Sequence, residues 1–125
     1  MKHSVRISLC LLLVLALLAG CSGAASTVKA EELAGKSYVY EKDGFGGDFV
    51  ISLEEDGSFT YYEGALSSYI GMGEWMLEGE TVTLQEKSQH FTFRVDGEDL
   101  IFRHDESGNF LYVDVFDGEK FSAKK

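Results

Sequence analysis

Apolar and polar residues alternate with a period of two along most of the chain after Gly35. Phe49, Ile51 and Leu53, for example, alternate with residues that are mostly polar. This period places apolar side chains on one face of a β-strand and polar side chains on the other. The pattern predicts strands near residues 37–42, 48–54, 58–63, 69–77, 81–86, 90–95, 99–103 and 110–116.

Short sequences that contain glycine separate several of these predicted strands. Glycine adopts the positive φ that tight hairpins need. Connections this short favour antiparallel neighbours, because parallel strands need crossovers of about a dozen residues. We therefore predict an all-β fold, an antiparallel up-and-down meander of about eight strands that curls into a barrel. The candidate turns are Asp56-Gly57, Glu78-Gly79, Asp96-Gly97 and Ser107-Gly108-Asn109.

One short helix is predicted before the first strand, over residues 26–34. Ser26 or Thr27 would provide its N-cap, and Gly35 would end it. The preceding segment, residues 22–27, contains only small or polar residues and is typical of a flexible tether.

The first residues of the chain form a short basic and apolar leader. Lys2, His3 and Arg6 precede an almost entirely apolar run from Ile7 to Ala19. A membrane-spanning helix needs about 20 apolar residues, so this shorter run is typical of a signal peptide.

The four residues Leu18-Ala19-Gly20-Cys21 close this leader, and they resemble the lipobox of bacterial lipoproteins. The resemblance implies cleavage between Gly20 and Cys21. It also implies attachment of acyl chains such as palmitate to Cys21. The chain would then be held on the cell membrane or the outer membrane, outside the cytoplasm. The alternative is an ordinary secretory leader in which Cys21 has no role.

These features divide the chain into three parts. Residues 1–20 are the predicted lipoprotein signal peptide, and residues 21–32 are the lipidated tether with the start of the short helix. Residues 33–125 form the predicted barrel domain, whose size fits a single small domain. The domain has no cysteine for a disulfide, because Cys10 leaves with the leader and Cys21 is lipidated.

The acidic composition limits the choice of partners. The formal net charge is −10, and removal of Lys2 and Arg6 with the leader makes it more negative. Nucleic-acid binding needs clustered lysine and arginine, so we expect no nucleic-acid partner. The same charge disfavours docking of the domain surface on anionic lipids.

Two segments resemble small bacterial lipocalin-like lipoproteins. Residues 33–38 (LAGKSY) resemble the passage from the short helix into the first strand of lipocalin-like domains. Residues 71–84 (GMGEWMLEGETVTL) resemble a Gly-x-Trp strand and its hairpin. The resemblance covers roughly residues 33–121, and it implies a lipocalin-like β-barrel.

The sequence predicts no catalytic set, no metal site and no cofactor, so we do not expect an enzyme. His90 and His104 are the histidines outside the leader, and they fit two surface side chains better than an acid–base or metal pair. Residues 43–48 lack the ligand spacing of an EF-hand loop. We interpret this glycine-rich segment as a loop that exposes Phe45.

Two aromatic residues are candidates for the rim of a binding site. Phe45 lies in the glycine-rich loop, and Tyr62 lies beside Tyr61 on a strand with aromatics on both faces. By alternation Trp75 shares a strand face with Gly71, Gly73 and Leu77, so we place it in the core.

Two functions from different classes remain open. The first is a membrane-anchored binding module for a small apolar ligand or another envelope protein. The alternative is a structural or inhibitory envelope protein whose barrel is filled. A ligand cavity of about 300 Å³ would separate them.

Overall fold

A computed structural model describes residues 28–40, 48–64 and 67–124 of the chain. The fold is all-β: one four-residue helix, α1, precedes eight antiparallel strands, β1–β8, which form a closed barrel in sequence order. The predicted antiparallel up-and-down barrel of about eight strands is therefore confirmed, and it is compatible with a lipocalin-like barrel. The elements are α1 Ala30–Leu33, β1 Lys36–Tyr40, β2 Val50–Leu53, β3 Ser58–Tyr62, β4 Ile70–Glu78, β5 Thr81–Glu86, β6 Gln89–Asp96, β7 Asp99–Phe102, a 3₁₀ helix at His104–Glu106, and β8 Lys120–Ala123.

Hydrogen bonds between the first and the last strand close the ring. Tyr38 of β1 is opposite Ala123 of β8, and Tyr40 is opposite Phe121. On its other side, β1 pairs with β2, where Tyr38 is opposite Ile51. Every strand of the barrel thus has two hydrogen-bonded neighbours.

The two ends of the barrel differ in how they connect the strands. One end, which we call the base, carries the hairpin turns after β2, β4 and β6. Gly79 and Gly97 have φ of +60° and +61° in these turns, as predicted for tight hairpins. The other end, which we call the mouth, carries the connections 63–69 and 103–119 and the short turn after β5.

Inward-facing side chains of all eight strands form the core. It is rich in aromatic rings, and many of them are in contact: Phe93 lies 5.3 Å from Phe102 and 5.4 Å from Phe121 between ring centroids. Trp75 is 9% exposed and donates a hydrogen bond of 3.0 Å from Nε1 to the carbonyl oxygen of Glu54. Its predicted place in the core is confirmed.

One predicted strand is wrong, and the described helix covers only part of its predicted range. Residues 110–116 alternate like a strand but form no strand, and β8 lies instead at Lys120–Ala123. The described helix begins at Ala30, after Lys29 in extended conformation, whereas the predicted start at residues 26–27 lies outside the described residues. The helix ends before Gly35, whose φ of +80° fits the predicted stop.

Candidate functional site

The connection 103–119, which we call the cap, lies at the mouth of the barrel. Its residue Phe110 inserts among the core rings and is only 8% exposed. The Phe110 ring stacks on Phe91 with centroids 4.1 Å apart, and it meets Phe49 and Tyr61 edge-on at 4.9 Å and 5.3 Å. Phe110 therefore plugs the mouth with an apolar side chain.

A buried carboxylate fastens the cap beside this plug. Glu63 follows β3 and is 5% exposed. It accepts hydrogen bonds from the backbone N–H groups of Leu111 at 3.2 Å, Tyr112 at 2.9 Å and Val113 at 3.0 Å. Hydrogen bonds to a charged acceptor are stronger than neutral ones. Glu63 thereby holds three consecutive residues of the cap against the end of β3.

The first part of the cap is bound to β6. Ser107 Oγ accepts a hydrogen bond of 2.7 Å from the Thr92 N–H and donates one of 2.7 Å to the carbonyl oxygen of Arg103. Thr92 Oγ1 donates to the carbonyl oxygen of Glu106 at 2.9 Å. The cap is thus attached to the barrel at both sides of Phe110.

A second buried carboxylate lies at the mouth end of β5. Glu86 is 5% exposed and accepts a hydrogen bond of 3.1 Å from the Tyr69 hydroxyl. Its Oε2 and the buried hydroxyl of Tyr61 have no hydrogen-bond partner among the residues that the structure describes. A Cβ atom added to Gly71 would collide with Tyr61 and touch Glu86, so only glycine leaves room for this pair.

The carboxylates of Glu86 and Glu63 contribute to raised pKa values of two neighbouring tyrosines. Burial, followed by the adjacent Glu86 carboxylate, raises the pKa of Tyr61 far above its ordinary value. The hydrogen bond to Glu86 is the main cause that raises the pKa of Tyr69. Both phenols therefore remain protonated at neutral pH, and the arrangement provides no general base among the tyrosines.

The cavities lined by described residues include a small one at the mouth and a groove outside the barrel. The first holds about 80 Å³ beneath the cap, between Phe102, Phe110 and Val115. The second holds about 390 Å³ between α1 and the base, where Trp75 and Leu77 meet the acidic side chains of Glu31 and Glu55. The cavity under the cap is much smaller than the roughly 300 Å³ of small-molecule sites, and the groove that exceeds this volume lies outside the barrel.

The outer surface of the barrel has two contrasting faces. The outward side chains of β2–β5, which we call the apolar-acidic face, include no lysine, arginine or histidine. The charged side chains at these outward positions are those of Glu74 and Glu78. The outward side chains of β6, β7, β8 and β1, which we call the opposite face, include His90, Arg94 and Lys120.

Large apolar side chains are concentrated on the first of these faces. Tyr62, Ile70, Met72 and Met76 are exposed by 37%, 53%, 62% and 55%. On the opposite face, the larger apolar side chains are Val39 and Ile101, and both are half-buried. The cap adds Leu111, Tyr112 and Phe116, each exposed by 57% or more.

The predicted site residues fall in different places. Tyr62 lies at the mouth end of β3 and points outward, opposite Val50 and Ile70. Phe45, Gly20 and Cys21 lie outside the described residues. His90 and His104 are both exposed, and the described ranges contain no group of three or more His, Cys, Asp or Glu arranged to hold a metal.

Sequence reasoning missed the two buried glutamates and the role of Phe110. A signal for the glutamates was present, because each continues the inward phase of its strand. Glu63 follows Phe59 and Tyr61 on that phase, and Glu86 follows Val82 and Leu84. An acidic residue on an inward phase requires hydrogen-bond partners, which in this fold come from distant segments.

No family model, no curated protein and no solved structure matches this chain. Within the described ranges, no helix has the length and apolar character needed to cross a membrane.

Proposed function

We propose that this chain is a membrane-anchored, extracytoplasmic lipoprotein that binds another envelope protein through the outside of its barrel. The observation that carries the proposal is the contrast between interior and exterior. Phe110 and the core rings occupy the mouth, whereas four large apolar side chains are exposed on one outer face. Contiguous exposed apolar residues are typical of interaction surfaces.

The same contrast favours a protein partner over a small apolar ligand inside the barrel. Entry of such a ligand would require removal of Phe110 from its contacts with Phe91, Phe49 and Tyr61. It would also strain the three hydrogen bonds that Glu63 accepts from the cap. A filled barrel uses its apolar interior for stability and leaves its surface for binding.

The proposed anchor rests on the sequence Leu18-Ala19-Gly20-Cys21. Growth of cells with a clickable fatty acid is expected to label the wild-type chain and not the Cys21→Ser variant. Equal labelling of both chains would contradict lipidation at this residue.

The proposed binding function is tested by crosslinking the full chain in intact cells, followed by mass spectrometry. We expect a defined envelope protein whose recovery is reduced when Ile70→Ser and Met72→Ser are combined. The matched control combines Val39→Ser and Ile101→Ser, which make the same kind of change on the opposite face. Saturable binding of a fluorescent fatty acid by the wild type, tightened by Phe110→Ala, would instead favour a ligand site inside the barrel.

A further inference from the structure

We propose that the apolar-acidic face docks an amphipathic helix of a partner protein, whose apolar face is flanked by lysine or arginine. This inference rests on the proposed protein-binding function and adds the surface and the chemistry of the partner.

The apolar part of this surface is continuous along two strands. Ile70 is directly opposite Tyr62, and Met72 lies two residues further along β4 on the same face, opposite Thr60. Directly opposite residues of antiparallel strands are about 5 Å apart, so Tyr62, Ile70 and Met72 form one cluster. Met76 extends it toward the base.

The cap extends the cluster beyond the mouth. Glu63 directly follows Tyr62, and its carboxylate holds the backbone of Leu111 and Tyr112. Both side chains are 60% exposed. The buried carboxylate therefore fixes two further large apolar residues next to the end of β3, at low entropic cost to binding.

The charge on this face selects the partner. Glu74 and Glu78 alternate with Met72 and Met76 along β4, and no basic side chain on the outward positions of β2–β5 neutralises them. Basic groups at the margins of the apolar face of such a helix would meet these carboxylates. An anionic lipid surface would be repelled, and a second copy would present either this acidic face or the opposite face with its half-buried Val39 and Ile101.

The closed ring determines how the partner docks. Each strand already has two hydrogen-bonded neighbours, so no strand edge is available for an added β-strand. The partner must be recognised through side chains. An amphipathic helix presents apolar anchors at intervals of three and four residues, and this matches a row of exposed side chains on a twisted sheet.

A binding assay with synthetic peptides tests the assignment. The full lipidated chain is placed in phosphatidylcholine nanodiscs, and a fluorescent amphipathic leucine–lysine helix is titrated by anisotropy against empty nanodiscs. We expect saturable binding that weakens at least tenfold in the Ile70→Ser/Met72→Ser variant. A matched leucine–glutamate helix is expected not to bind.

Two variants that remove the same amount of charge distinguish the effect of the acidic residues on this face from the effect of the net charge of the whole chain. Glu74→Gln/Glu78→Gln is expected to weaken binding at least tenfold, whereas Asp96→Asn/Glu98→Gln, which removes the same charge at the base, is expected to change it less than twofold. Equal effects of the two pairs, or an unchanged affinity of the Ile70→Ser/Met72→Ser variant, would overturn the proposal. Dimerisation of the wild type that this variant abolishes would overturn it in favour of a second copy.

The two proposals can fail separately. A partner recovered by crosslinking whose capture is insensitive to Ile70 and Met72 would leave the binding function in place and refute this surface.

Discussion

The base and the mouth of the barrel are built on different principles. At the base, strands are joined by tight turns whose glycines adopt positive φ, and Trp75 closes the interior with a hydrogen bond to Glu54. At the mouth, Phe110 and Glu63 bring together residues that are about 50 positions apart in the chain. Stability at the base thus comes from hairpin turns and from contacts across about 20 residues, whereas the mouth depends on contacts across about 50 residues.

The largest expected effect concerns the base. Trp75→Ala removes a buried indole and its hydrogen bond to the Glu54 carbonyl oxygen, which keeps the Gly57 N–H as a donor at 3.2 Å, so we expect unfolding to become easier by about 3–5 kcal/mol. The measurement is a urea melt monitored by far-UV circular dichroism. Trp75→Phe is the control, since it keeps most of the buried ring and loses only the Nε1 donor. An unchanged midpoint for the alanine variant would contradict a core role.

A somewhat smaller effect is expected at the mouth. Glu63→Ala removes the shared carboxylate acceptor of three N–H groups of the cap, so we expect local opening of the cap to become easier by roughly 2–4 kcal/mol. Hydrogen exchange should accelerate at the amides of residues 111–113, with little change at the base turns. Glu63→Gln keeps one oxygen acceptor and should give an intermediate rate. Uniform acceleration over the whole barrel would show that the mouth and the base unfold together.

The third prediction compares how stability depends on pH through two buried tyrosines, Tyr38 in the middle of β1 and Tyr61 near the mouth. Burial, followed by the charge of Asp99, raises the pKa of Tyr38 from 10.0 to about 12, so its ionisation disfavours the folded state. The corresponding stability is present below pH 10 and is lost between pH 10 and about 12, by about 2–3 kcal/mol in total. Tyr38→Phe should therefore lose less stability than the wild type in melts between pH 9 and about 12.

The matched variant at the mouth is Tyr61→Phe, because burial and the Glu86 carboxylate raise the pKa of Tyr61 in the same direction. Tyr61→Phe should therefore also lose less stability than the wild type as the pH rises above about 9. Identical alkaline profiles of the wild type and both variants would contradict burial of these hydroxyls.

The smallest effects are expected from two turns. Gly79 at the base has φ of +60°, and Lys87 in the turn after β5 has φ of +50°. Gly79→Ala should destabilise the fold by about 1 kcal/mol, and Lys87→Gly should stabilise it by up to about 1 kcal/mol. Thermal melts of the two variants measure both changes. Effects of the same sign would show that factors other than the positive φ dominate these turns.

The sequence predicted the strands better than the closure of the mouth. Alternation is a local property, and it located the first seven strands within a few residues. It was wrong for 110–116, because Leu111, Val113 and Val115 alternate as in a strand. Periodicity does not show whether a neighbouring strand is free to pair, and β8 at Lys120–Ala123 occupies that position beside β7.

The last strand was missed because its own pattern is weak. β8 contains one fully buried apolar residue, Phe121, and is too short for a clear period. The candidate site was less predictable for a related reason. The function of Glu63 depends on the N–H groups of Leu111 to Val113, which no local pattern connects with it. The outward position of Tyr62, in contrast, follows directly from the alternation of β3.

The pairing of β1 with β8 also has a consequence for the timing of synthesis. Hairpins from β1 to β7 can form as each strand emerges into the compartment where the domain folds, but the ring closes only after the cap and β8 have emerged. Until then, β1 and β7 each present an unpaired edge, the kind of surface that promotes aggregation. The four residues Lys120–Ala123 therefore determine when the nascent chain becomes protected from its neighbours.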